Sequence, residues 1–211
     1  KEYYTAQLRS EHVAVIKTAE KNKSLLELLN GWLERMPFFD EKEHWENFAA
    51  HDSEDNIHTF WKEYRYQYQN SLAEPEKNNL QFFDEIFLSN SQQTAIGSDR
   101  SLSPSANRAA LFIMLYRGYP MLQLPFQLLN SLLEIDEQLS SWRYRHMNMV
   151  HRMIGTRIGT GGSTGKDYLK AAADKHYIFK EIAQLNSFLI ERRKLPQLPA
   201  GMEKRLGFVH Q

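Results

Sequence analysis

In its 211 residues the chain balances 26 basic against 26 acidic side chains, so with zero formal net charge neither nucleic acid nor an anionic membrane surface is favoured as its main partner. It has no cysteine, which excludes disulfides, thiolate nucleophiles and cysteine-ligated zinc or iron–sulfur sites and agrees with a reducing cytoplasm. A hydrophobic content of 42% with 12 Phe, 10 Tyr and 4 Trp can build a sizeable core, yet no apolar run reaches the roughly 18 residues of a membrane helix.

In chain order the segments read as helix after helix. Residues 1–21 are polar and helix-favouring. Ser24 and Glu27 form a capping box ahead of Leu25, Leu28, Leu29, Trp32 and Leu33, whose spacing predicts an inner helical face, and Met36-Pro37 ends that element. From Glu43 to about Asn70, Trp45, Phe48, Phe60, Trp61, Tyr64 and Tyr68 recur at spacings of three or four, with a break around His51 to Asn56. Two helices with aromatic inner faces are expected there. Pro75 opens another helix, through Phe82, Phe83, Ile86 and Phe87, and "SNSQQTAIGSDRSLSPS" follows as a loop. Ser103 and Pro104 read as N-cap and first turn of a helix carrying Leu111, Phe112 and Leu115.

A long helical pattern runs from Leu122 to Ile154, with Pro125 near its start. Glycine then breaks it: five of the ten glycines fall in "GTRIGTGGSTG", residues 155–165. Helices are expected from about Lys166 to Lys175 and from about Phe179 to Arg193, where "KLPQLP" stops the last. With no repeat, linker or β-alternation, residues 1–211 read as a single all-α domain. The first residue is Lys1 rather than Met, which suggests a portion of a longer chain.

The glycine run fails two standard motifs. A Walker loop would need glycine at Thr160 and a hydroxyl at Asp167, and a dinucleotide fingerprint starting at Gly159 would need glycine at Thr164. Neither has a preceding strand. Two readings stay open: a flexible connection between helices, or a loop whose backbone N–H groups approach a ligand closely.

Just upstream, "SSWRYRHMNMVHRMIG" places Trp142, His146, Met149 and Met153 on one helical face, which reads as a buried one. A lone histidine on such a face is either a hydrogen-bonded core residue or a ligand to a cofactor. No HExxH pair or other multi-ligand metal spacing accompanies it.

The run "WRYRHMNMVHRMIGTRIGTGGSTGKDYLK" resembles the signature of the tryptophan 2,3-dioxygenases, haem enzymes that open the indole ring of L-tryptophan. The likeness extends back through "LFIMLYRGYPMLQLPFQLLNSLLEIDEQLSSW", forward through "FKEIAQLNSFLIERRKLPQLP", and includes "SLLELLNGWLERMP" near the start. It implies an all-α fold around haem b, with L-tryptophan and O2 as substrates and N-formyl-L-kynurenine as product, in a cytoplasmic homotetramer. By the same resemblance His146 is the proximal iron ligand, and Trp142, one turn earlier, helps to hold its imidazole. Thr160 and Gly159 grip the amino-acid end of the substrate, and Gly161, Gly162 and Ser163 line that corner beside the haem propionates.

The family's distal histidine, aromatic wall and carboxylate-binding arginine have no counterpart in the early residues here. His12 and Arg9 lack the context, and His44, His51 and His58 fall in middle helices. The expectation is therefore a C-terminal portion whose distal residues lie upstream of Lys1. The alternative is a non-catalytic helical fragment that binds haem or serves a structural role.

Overall fold

Aromatic side chains at helical spacing set the interior of this protein. The computed structural model describes residues 9–19, 21–36, 57–72, 80–88, 101–154 and 177–207, and every regular element among them is helical. In order these are α1 (Ser10–Ala19), α2 (Leu25–Glu34), α3 (Ile57–Ser71), α4 (Leu80–Phe83) running into a π-helical turn (Asp84–Leu88), α5 (Pro104–Leu115), α6 (Pro120–Ile154), α7 (Lys180–Leu185) and α8 (Ala200–Leu206). The expected helices at residues 43–50 and 166–175, and the start at Pro75, lie outside the described residues.

Local signals in the sequence fix several of these boundaries. The Ser24 side chain accepts from the Glu27 N–H while the Glu27 carboxylate accepts from the Ser24 N–H, closing the expected capping box. Those hydrogen bonds hold the Glu27 carboxyl below its ordinary range. Ser103 caps α5 through the Ala106 N–H, with Pro104 in the first turn. The inner face of α2 differs from expectation: Leu26, Leu29 and Leu33 are buried, whereas Leu25 and Leu28 are exposed. In "LLELL" two leucine stripes compete, and the one that packs on α5 wins.

The core is one cluster centred on α5, whose stretch from Ala109 to Phe112 is fully enclosed. Helix α3 contributes Phe60, Trp61, Tyr64 and Tyr68, and the α4 segment contributes Phe83 and Phe87. Phe83 stacks on Tyr64 and Tyr68 with centroids 5.9 and 5.5 Å apart, and meets Phe87 at 4.7 Å. On the outer side of this contact Arg65 pairs with Asp84 through Nε and through an Nη2 to Oδ2 bond of 2.8 Å, so the π turn is fastened to α3.

The helix expected from Phe179 to Arg193 stops at Leu185. A 3-10 turn (Asn186–Phe188), an extended passage and a second 3-10 turn (Arg192–Lys194) replace its remainder. The cause is tertiary. Phe188 inserts among Tyr68, Phe82, Phe83 and Phe87, and its carbonyl accepts from the buried Tyr64 hydroxyl. Tyr68 donates to the Ser187 carbonyl at 3.3 Å and Tyr116 to the Pro196 carbonyl at 2.7 Å. Three phenols thus claim carbonyls that a continuous helix, or solvent, would otherwise satisfy.

Burial pushes the Tyr64 and Tyr116 phenols well above their ordinary value of 10.0. Their contribution to stability is complete below that value, where folded and unfolded phenols are both neutral. It declines once the unfolded chain ionises more readily than the folded one. The urea midpoint is therefore expected to fall as the pH rises from about 10 to 11. In Tyr116→Phe the fall should be shallower, and an equally steep fall would contradict this origin.

Helix α8 anchors the start of α6. Tyr119 donates to Glu203 at 2.7 Å, and Gly207 ends α8 at φ +100 with its α-carbon close against Pro120. A side chain there would meet both the left-handed backbone and the proline ring.

Candidate functional site

Helix α6 is 35 residues long and presents two faces of opposite character. Leu122, Leu129 and Leu132 join the core, and Asp136 and Met147 are buried as well. Met121, Leu128, Ile135, Trp142 and Met149 recur every seven residues on the other side, and all are exposed. Pro125 is accommodated near the N-terminal end, where only the N–H that would have bonded to Met121 is lost.

His146 belongs to the exposed face. Its imidazole lies flat on the Trp142 indole, with centroids 5.3 Å apart and planes 9° from parallel. The reading of this stripe as a buried face is corrected here: Trp142 is 61% exposed, Met149 52% and Met153 77%. Spacing alone shows that four side chains share a face, and not which of a helix's faces the core takes. The buried side chain in this part of α6 is Met147.

The result is an exposed platform of indole, imidazole and two thioethers with a single nitrogen-ligand side chain. Such a donor set suits a flat apolar group that takes one axial imidazole. A bare metal ion wants several imidazole or carboxylate donors. Among the described residues no three of His, Asp or Glu gather.

The described part of α6 ends at Ile154, and the described residues resume at Tyr177. Gly159, Thr160, Gly161, Gly162 and Ser163 lie outside the described residues. The residues just before α7 are fastened to α6: the Asp136 carboxylate accepts from the Ile178 N–H at 3.0 Å and the Phe179 N–H at 2.8 Å. One turn further along, Ser140 donates to the Tyr177 hydroxyl at 3.3 Å. Sequence reasoning missed Asp136. The available signal was an acidic residue seven positions after Leu129 and four after Leu132, on a stripe otherwise apolar.

Comparison with known proteins decides what this helix belongs to. The family model described as tryptophan 2,3-dioxygenase matches residues 1–189. The chain belongs to the tryptophan 2,3-dioxygenase family. It is similar to the tryptophan 2,3-dioxygenase of Alteromonas mediterranea, 36% identical over 99% of this chain and 60% of that protein. It is also similar to that of Bdellovibrio bacteriovorus, 37% identical over 88% of this chain and 54% of that protein. Tryptophan 2,3-dioxygenase B of Danio rerio is 33% identical over 96% of the chain and 51% of its own length. The chain thus spans between half and three-fifths of the tryptophan 2,3-dioxygenases it matches, and the match takes in both the His146 platform and the residues that follow it. No helix among the described residues is long and apolar enough to cross a membrane.

Proposed function

We propose that this chain supplies the proximal side and the substrate loop of a haem-dependent dioxygenase site that converts L-tryptophan and O2 to N-formyl-L-kynurenine. The observation that carries the reading is the His146 imidazole lying on Trp142 on an exposed apolar face, in a chain of this family. Haem b, when bound, supplies an iron centre that takes up and activates O2.

The protein's own residues do the rest. His146 would hold the haem iron through one imidazole nitrogen. The indole of Trp142 restrains the imidazole from tilting, an orienting role of the kind that tunes a metal ligand. The exposed Met149 and Met153 would offer soft apolar contact to the bound group. In the loop, Gly159, Gly161, Gly162 and Ser163 leave room for backbone N–H groups near the substrate and the propionates, and the Thr160 hydroxyl holds the amino-acid end of L-tryptophan. The same reading takes the assembly as a homotetramer and the setting as cytoplasmic. Family membership supports the first, and the cysteine-free composition agrees with the second.

The test is a ferrous–CO absorption spectrum of the haem-reconstituted protein, recorded as L-tryptophan is added, for the native chain and for Thr160→Ala. The native spectrum should be that of a histidine-ligated haem and should shift with L-tryptophan. Thr160→Ala should keep the haem band while turnover falls about tenfold to a hundredfold, the effect of losing one hydrogen bond to a charged group worth roughly 1.5–3 kcal/mol. Loss of haem in that variant would refute the role given to Thr160. A haem band that ignores L-tryptophan would make this chain a haem-binding helical fragment.

A further inference from the structure

We infer that the cavity between the α5–α6 turn and the chain that follows α7 is a binding site for a small carboxylate with an apolar body, about the size of benzoate. The inference stands apart from the haem reading and uses none of its residues.

The cavity has a volume of about 280 Å³. Its apolar surface comes from Met114 and Leu115 at the end of α5 and from Leu189, Ile190 and Leu195 in the passage after α7. Arg117 and Arg192 supply its charge, and among the described residues no carboxylate lines it. At roughly 30 Å³ per water, the space matches about nine non-hydrogen atoms. A cleft lined by one sign of charge concentrates ions of the other sign, and apolar walls select an anion that has hydrocarbon to bury.

Local structure holds both guanidinium groups at this place. The Tyr116 hydroxyl donates to the Pro196 carbonyl at 2.7 Å, which fastens the passage bearing Arg192 to the turn bearing Arg117. Gly118, inside that turn, leaves room for the Arg192 head: a β-carbon there would stand 2.8 Å from its Nη2 and 3.2 Å from its Cζ. Arg117 lies over the Phe126 ring at 5.0 Å, a contact that restrains its guanidinium without neutralising it. The next basic residue behaves otherwise, since Arg193 pairs with Glu191. Glu203 lines an adjoining cavity of about 170 Å³ that shares Arg192 with this one, and it accepts there from the Tyr119 hydroxyl. Among the described residues neither Arg117 nor Arg192 is paired with a carboxylate. A guanidinium presents a planar fork of N–H donors that fits a carboxylate, so the head of the acid would meet the arginines and its body Leu189, Ile190 and Leu195.

The experiment follows the methyl resonances of Leu189, Ile190 and Leu195 in the haem-loaded, ferrous–CO protein as benzoate is added. Acetate, which lacks the body, and benzyl alcohol, which lacks the charge, are titrated beside it. For about nine non-hydrogen atoms at the efficiency of drug-sized ligands, a Kd on the order of 10 mM or tighter is expected. Arg192→Gln, a change at an exposed side chain, should raise that Kd about tenfold or more, as loss of a charge-assisted hydrogen bond does. Acetate and benzyl alcohol should bind more weakly than benzoate.

Saturating shifts at these methyls that Arg192→Gln weakens carry the inference. No response of the methyls to benzoate, or an equal response in Arg192→Gln, would overturn it. Should Arg192→Gln fail to fold, the unsubstituted protein still decides: acetate or benzyl alcohol binding as tightly as benzoate would overturn the site. A ferrous–CO band that moves with benzoate while the methyls stay still would put the acid at the haem instead and overturn it too. The dioxygenase reading is untouched by any of these results.

Discussion

His146→Ala is expected to abolish the histidine-ligated ferrous–CO spectrum and to lower dioxygenase turnover by more than about a hundredfold, since even residues that merely orient a metal ligand are worth 10–100-fold. The same substitution should leave the apoprotein's melting temperature nearly unchanged. The imidazole is exposed and its described contact is the stack on Trp142, and surface changes of this kind usually fall within about 0.5 kcal/mol. That separation makes the measurement informative. A core histidine would cost stability when truncated, whereas an axial ligand costs haem. A spectrum that survives the substitution would move the ligand elsewhere and undo the reading of the platform.

Phe83→Ala should cost about 3–5 kcal/mol of folding stability, the range for removing a buried aromatic ring. Phe83 has no exposed surface and touches Tyr64, Tyr68, Phe87 and Phe188, which come from three separate stretches of the chain. Its removal leaves a void that four rings on different elements cannot all relax to fill. Natural stabilities are commonly about 5–15 kcal/mol, so the variant should unfold at markedly lower urea concentration. A loss under about 1 kcal/mol would show that these rings repack around the gap, contrary to the close-packed arrangement described.

These two residues also show how far sequence reasoning reaches. Elements whose causes are local were readable: Ser24 with Glu27, Ser103 with Pro104, and the aromatic spacing of α3 all produced the expected helices. Phe188 shows the limit. Its neighbours along the chain favour helix, yet Tyr64 and Tyr68 claim the Phe188 and Ser187 carbonyls from across the core, and the helix ends early. Periodicity grouped Trp142, His146, Met149 and Met153 correctly on one face and misjudged its burial, because burial depends on what packs alongside. Asp136 stood out only as an acidic residue on an apolar stripe, and its partners are backbone amides, which carry no sequence signature.

One property of α6 is a matter of phase. Asp136 and His146 stand on a single uninterrupted helix, so the number of residues between them sets the angle between the backbone amides held by Asp136 and the His146 imidazole. Inserting or deleting one residue between them would swing His146 about 100° around the axis relative to Asp136 with the identity of neither changed, since 3.6 residues complete a turn. Inserting seven would nearly restore the direction but would push the histidine about 10 Å along the axis. Spacing within this helix is thus a requirement alongside residue identity, and the stretch between them, Ser140 and Trp142 apart, should tolerate exchange of its exposed side chains far better than any change of length.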